Sequence, residues 1–213
     1  MEQTATTAGL RAKTLECVDF TKQLLLNPAQ IFRNLSKTGG YSDPLMRIVS
    51  MGLLAGIVKI FVTFFYMING ASVGLFTALS AVLFVPITLI AFCYGGSFLL
   101  FIAMKALGAD SEIETAFRVC AQISGIAPIA VIALAIPYAG NLIMLALLAY
   151  LLITAAIEVY QLSSNTAWMI FGISCVLLAI LSLGSEFRNR HQATSAEPAP
   201  ATLVCPALQP DAH

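Results

Sequence analysis

From Met46 to Leu183 the chain is almost unbroken in its apolar character, interrupted about once per helix length by Asn-Gly, Pro-Tyr-Ala-Gly-Asn and Ser-Ser-Asn. One helix needs about 20 apolar residues to cross a hydrocarbon layer of about 30 Å. This run repeats that unit several times, so lipid is the solvent for most of the polypeptide. Such a medium requires backbone polar groups to be paired inside the protein. The expected fold class is therefore all-α: an integral membrane bundle of transmembrane helices.

Composition agrees. Of the 213 residues, 59% are hydrophobic and 10% charged, whereas a soluble domain carries about 25% charged residues. A soluble fold of this length would lack the polar side chains to cover its surface. The formal net charge is zero, which removes the field a nucleic-acid partner would need. Five scattered cysteines (Cys17, Cys93, Cys120, Cys175, Cys205) read as small hydrophobes where they fall in apolar segments. His191 and His213 both sit in the polar tail, so neither a metal site nor a cofactor is expected. No secretory signal peptide is visible, and the first span is expected to act as an uncleaved insertion signal.

Turn and cap signals divide the run. Residues 1–45 form a polar N-terminal segment, expected to be frayed over its first thirteen positions. Leu15 to Leu26 suits a helix with Leu15, Val18 and Leu25 along one side. Asn27-Pro28 then reads as an N-cap and a first helical proline. The short helix that follows carries Ile31, Phe32 and Leu35 on one face and Arg33 and Lys37 on the other, and Gly39-Gly40 ends it. It reads as an amphipathic interfacial helix, or equally as a helix packed on the protein's own cytosolic surface. Asp43-Pro44 opens span one, about Met46 to Ile68, and Asn69-Gly70-Ala71-Ser72 turns the chain. Span two lies within Val73 to Met104 and is longer than a bilayer needs, with a kink expected at Pro86. Gly108 ends it. Ser111-Glu112-Ile113-Glu114 reads as a capping box. Span three covers about Thr115 to Ile136 and contains Pro128. Pro137-Tyr138-Ala139-Gly140-Asn141 forms a hairpin. Span four covers about Asn141 to Tyr160. Ser163-Ser164-Asn165 caps span five, which ends near Gly184. Residues 185–213 are rich in Ala and Pro and read as a disordered tail.

Six of the eleven Lys and Arg residues precede Ile48, Lys105 and Arg118 flank the turn between spans two and three, and the other turns have none. The positive-inside rule then places the N-terminus in the cytosol of a cell (inner or plasma) membrane. Five spans put the tail outside, against a weak contrary signal from Arg188 and Arg190.

Three pieces of the sequence resemble the Yip family of multi-pass membrane proteins (Ypt/Rab-interacting proteins). The first is Asn27-Pro28-Ala29-Gln30-Ile31-Phe32 with Asp43-Pro44-Leu45. The second is Gly108 to Arg118 with Pro128 and Pro137-Tyr138-Ala139-Gly140. The third is Glu158-Val159-Tyr160-Gln161-Leu162-Ser163 with Ala167. The resemblance spans residues 27–184, with Tyr160 where the family often has His. It implies a five-span membrane domain over residues 46–184 and a role in membrane organisation. The chain resembles the compact, bacterial-type members, so small-GTPase binding is not carried over. The expected partners are the lipid bilayer, other membrane proteins or a second copy of the chain.

Several polar residues stand out against the apolar background. Lys59 lies near the centre of span one, where a charge costs about 2.5–3.5 kcal/mol or more. Glu158 lies about 15 Å nearer the cytosolic side by helix rise, too far for a direct pair. Gln122, Tyr150 and the Ser124 carbonyl, which Pro128 leaves without its helical donor, lie at matching depth. Together they read either as an ion, proton or headgroup site, or as a snorkelling lysine stem. Glu158 is expected to hold a backbone amine, Lys105 or Arg118 across the loop. Gly52 and Gly56 form a GxxxG suited to close packing within the monomer. Ala91, Gly95, Gly96 and Ser97 do the same for span two. Pro86 and Pro128 are kinks or hinges. Arg33, Lys37 and Arg47 form a lipid or partner face.

There is no H-E-x-x-H, G-x-S-x-G or Walker loop, and no aspartate lies inside a span. The expected function is accordingly non-enzymatic: a membrane-organising or adaptor protein whose cytosolic face meets partners or lipid headgroups. A small transporter or channel built on Lys59 is the alternative.

Overall fold

The computed structural model describes residues 15–36, 39–69, 75–136 and 139–195. The described residues form helices joined by short turns, with no strand among them. Helix α1 covers residues 15–26. It is followed by α2 (Pro28–Arg33), α3 (Ser42–Ile68), α4 (Leu75–Ala106), α5 (Ile113–Ile123), a 3₁₀ turn (Ser124–Ile126), α6 (Ala127–Ala133), α7 (Ala139–Glu158) and α8 (Ser164–Ser195). Among the described residues, five segments are long and apolar enough to cross a membrane: Ser42–Ile68, Leu79–Ala106, Ile113–Ala133, Ala139–Glu158 and Ser164–Ser185. The five-span bundle expected from the apolar run is the architecture found.

The third span is the hub. About 61% of its most apolar stretch is buried, against 6% for the fifth. Helix α5 packs on both α3 and α4, and α6 packs on α3 and α7. Helix α8 rests chiefly on α7. These two form a hairpin in which Asn141 bonds to Ser182 and the Cys175 thiol faces the Leu145 carbonyl.

Glycines set the closest approach. A Cβ at Gly52 would lie 2.7 Å from the Pro86 backbone, and one at Gly56 would lie 2.9 Å from that of Val82. The GxxxG of span one therefore packs α3 onto α4 inside the monomer. In span two, Gly96 faces the Cys120 sulfur while Gly95 faces open space. Pro86 stays within a continuous helix and is buried in the α3–α4 contact.

Local signals shift in several places. Asn27 is the N-cap of α2, but its side chain makes no capping bond; Pro28 alone starts the helix. Helix α2 ends at Arg33, well before Gly39 and Gly40, whose φ values of +134° and +84° shape the following loop. Helix α3 begins at Ser42 with Tyr41 as N-cap, so Asp43 and Pro44 fall in its first turn. Gly108, with φ +76°, ends α4 as expected. Its N–H meets the Lys105 carbonyl and that of Ala109 meets Met104, the paired bonds of a Schellman cap. Ser163 caps α8 by accepting the Thr166 N–H at 3.3 Å.

The capping box does not form. Glu112 is the N-cap of α5 without a side-chain bond, Ser111 is buried, and Glu114 turns to Gly40 and Arg118. A charged guanidinium and a free backbone N–H outcompete the return bond to the helix start. Helix α8 continues past Gly184 to Ser195, so the first part of the expected disordered tail is helical. The remaining tail, residues 1–14, the turn at 70–74 and Pro137-Tyr138 lie outside the described residues.

Candidate functional site

Among the described residues, the ion pairs gather at the end where α1, α2 and the α4–α5 and α7–α8 connections meet. At the far end, the Tyr66 hydroxyl donates to the Ala135 carbonyl.

Arg118 organises the charged end. It sits one helical turn beyond Glu114 on α5 and is 7% exposed. Its Nε donates to Glu114 Oε1 at 3.3 Å, its Nη1 to the Ser36 carbonyl at 3.2 Å and its Nη2 to the Gly40 carbonyl at 2.8 Å. The same Glu114 oxygen accepts the Gly40 N–H at 2.9 Å. A rigid guanidinium fork suits several acceptors at once. The loop from α2 to α3 is thereby fastened to the hub helix. A Cβ on Gly39 would lie 2.8 Å from Nη2, so glycine is required there for space as well as for φ.

Helix α1 is fastened to the break in span three. Pro128 has no N–H, and the helix passes through a 3₁₀ turn just before it. The Ser124 carbonyl is taken by the Ala127 N–H in that turn. The Gly125 carbonyl accepts the Thr21 hydroxyl at 2.8 Å, in a buried bond. Phe20 and Leu24 close over Gly125, where a Cβ would lie 2.5 Å from the Phe20 ring. Arg47 lies 4.4 Å above the centre of that ring and donates to Gln122 Oε1 at 2.8 Å.

At 100° per residue, α1 has three faces. One, with Thr21 and Leu24, is buried in the bundle. A second carries Leu15, Val18 and Leu26, which are 65%, 52% and 67% exposed. The third carries Glu16, Asp19, Gln23 and Asn27, all exposed. Helix α1 is thus both packed on its own protein and apolar on an outer edge.

Helix α2 buries Phe32 and packs on α7. There Arg33 Nε meets Glu158 Oε2 at 3.0 Å and Nη2 meets Oε1 at 3.2 Å. This two-point pair raises the Arg33 pKa still further, first through the hydrogen bond to Glu158 and then through its charge. Burial raises the Cys17 thiol, with Glu16 adding to the shift and Arg47 opposing it. Beyond α7, Tyr160 and Ser111 are both buried, and neither hydroxyl has a well-aligned partner. Burial pushes the Tyr160 phenol up to about 12, partly offset by the neighbouring Ser111 hydroxyl.

The residues singled out in the sequence do not converge. Lys59 is exposed on α3. Gln122 is engaged by Arg47, and the Ser124 hydroxyl donates to the Ala121 carbonyl. Tyr150 is 44% exposed on α7, a helix that does not pack against α3. Glu158 holds Arg33 rather than Lys105, Arg118 or a backbone amine, because α2 packs on α7 and brings its arginine to that carboxylate. Of the expected lipid or partner face, Arg33 is exposed, Arg47 is half-buried in the cluster just described, and Lys37 lies outside the described residues. Phe20, Thr21, Ser36, Gly39 and Glu114 complete the clamp and carried no clear signal of it. The nearest hint was Pro128, whose freed carbonyls required a donor from elsewhere. No cluster of His, Cys, Asp or Glu suited to a metal occurs among the described residues.

No curated protein and no solved structure matches the chain. The family model described as Yip1 domain matches residues 22–185. That stretch begins within α1, just after Thr21, and ends with the last apolar turns of α8, so it takes in the five spans and the Arg118 and Arg33 contacts. The chain belongs to the Yip1 domain family.

Proposed function

We propose that the chain is a non-enzymatic membrane-organising or adaptor protein whose charged end faces the cytosol of the cell membrane and receives partner proteins or lipid headgroups. The observation that carries this reading is the fastening of α1 and α2 to the spans by Thr21, Arg118 and Arg33, which holds an outer apolar edge and an exposed polar face in a fixed pose. An apolar edge of Leu15, Val18 and Leu26 beside Lys22 suits a helix lying in a bilayer interface. The excess of Lys and Arg in the N-terminal segment supports the cytosolic assignment. The outward position of Lys59 lends no geometry to transport.

A photo-crosslinking residue replacing Arg33 or Lys37, activated in native membranes, tests the reading. Specific protein or lipid adducts at these positions, absent from a far-end control at Asn69, are the expected result. A pattern identical to that control would overturn it.

A further inference from the structure

The elbow between α1 and α2 holds a cleft of about 470 Å³ lined by Gln23, Asn27, Gln30, Ile31 and Asn34. Four of these five side chains are carboxamides, arranged as one i,i+4 pair on each side of the elbow, so each pair shares a face. All four are exposed. None of their side-chain amides is hydrogen-bonded among the described residues. Each offers two donors and one acceptor.

That chemistry selects a ligand. Hydroxyl groups donate and accept, and so does every carboxamide. A bare phosphate would be matched by Arg or Lys, and a quaternary ammonium by an aromatic cage; neither lines the cleft. Ile31 offers the one apolar surface, of a size to meet the C–H face of a sugar ring. The elbow sits directly beyond Leu26, whose exposed side chain belongs to the outer apolar edge of α1. A ligand with hydroxyls in the cleft can therefore keep acyl chains along that edge.

We propose that the cleft binds the polyhydroxylated headgroup of a membrane glycolipid. The inference rests on the reading that this end of the bundle meets headgroups, and it narrows that reading to one headgroup chemistry.

The test uses the full chain in detergent, incubated with equal amounts of diglucosyl diacylglycerol, phosphatidylcholine and phosphatidic acid and examined by native mass spectrometry. The glycolipid is expected to be retained at least about five-fold over either phospholipid, as two or more added hydrogen bonds would produce. Gln23→Leu with Asn34→Leu should abolish that preference, and Gln30→Leu alone should weaken it. All three positions are exposed, so thermal stability should be unchanged. Equal retention of glycolipid and phosphatidic acid would overturn the polyol assignment while leaving the headgroup reading intact. Retention of no lipid at all, together with absence of lipid adducts at Arg33, would overturn both. Displacement of the glycolipid by methyl glucoside would assign the cleft to a free sugar and overturn the membrane source.

Discussion

Thr21 and Gly125 are 104 positions apart, yet the Thr21 hydroxyl donates to the Gly125 carbonyl at 2.8 Å inside the bundle. The 3₁₀ turn before Pro128 leaves that carbonyl without its usual helical donor, and an N-terminal helix outside the five spans supplies one. A buried acceptor left unpaired costs about 1–3 kcal/mol. Thr21→Val should lower the melting temperature of the detergent-solubilised protein accordingly, and Thr21→Ser should restore most of the loss. Gly125→Ala should destabilise as well, since its Cβ would drive Phe20 from beneath Arg47. Equal melting of Thr21→Val and the parent would show that the bond contributes nothing.

Arg118 is the other anchor, and its three acceptors make Lys a poor substitute. An ammonium group is a point charge on a flexible stem and cannot match a planar fork. Arg118→Leu leaves the Ser36 and Gly40 carbonyls without their donor and Glu114 with only the Gly40 N–H, at a cost on the order of 3 kcal/mol. We expect Arg118→Lys to recover less than half of that difference. Limited proteolysis gives a second readout: cleavage within residues 34–41 should accelerate in both variants before the spans loosen. An unchanged cleavage rate would contradict the clamp.

The number of spans was legible because lipid imposes one length and one polarity on every crossing, and neither depends on which helix is the neighbour. Gly52 and Gly56 were legible for a related reason: small residues four apart specify a close approach whatever lies opposite. Partner choice was not legible. Glu158 reads as a partner for the α4–α5 connection, and it meets Arg33 instead because α2 packs on α7. Arg118 read as a loop charge that merely reported orientation; its true role depends on a turn at Gly39–Gly40 that brings distant carbonyls to it. The capping box failed for the same reason, since a tertiary ligand took the Glu114 carboxylate.

Tyr160 gives the protein a specific alkaline sensitivity. The free phenol ionises at its ordinary pKa of 10.0, and burial moves it to about 12 in the folded chain. Between those values the unfolded chain loses the proton first, so the unfolded state binds fewer protons and stability falls as pH rises. Below pH 10.0 the phenol is neutral in both states and contributes no slope. Melting curves recorded from pH 9 to 12 should therefore fall more steeply for the parent than for Tyr160→Phe. Identical slopes would place the phenol in a more solvated setting than the one described.

Lys59 occupies an exposed position on α3, 17 residues beyond Ser42, or about 25 Å along a helix. Its methylene stem can lie along the helix while the ammonium group reaches toward the nearer interface. A lysine in that setting costs rather than contributes stability. On insertion scales a centrally placed Lys is about 2.5–3.5 kcal/mol unfavourable, whereas Leu is slightly favourable. Lys59→Leu in lipid nanodiscs should therefore raise the melting temperature, and Lys59→Met should do nearly as much. The same variants in sealed vesicles should show proton and anion leak equal to the parent. A destabilised Lys59→Leu, or a change in flux, would mean that the ammonium group serves the pathway that its outward position argues against.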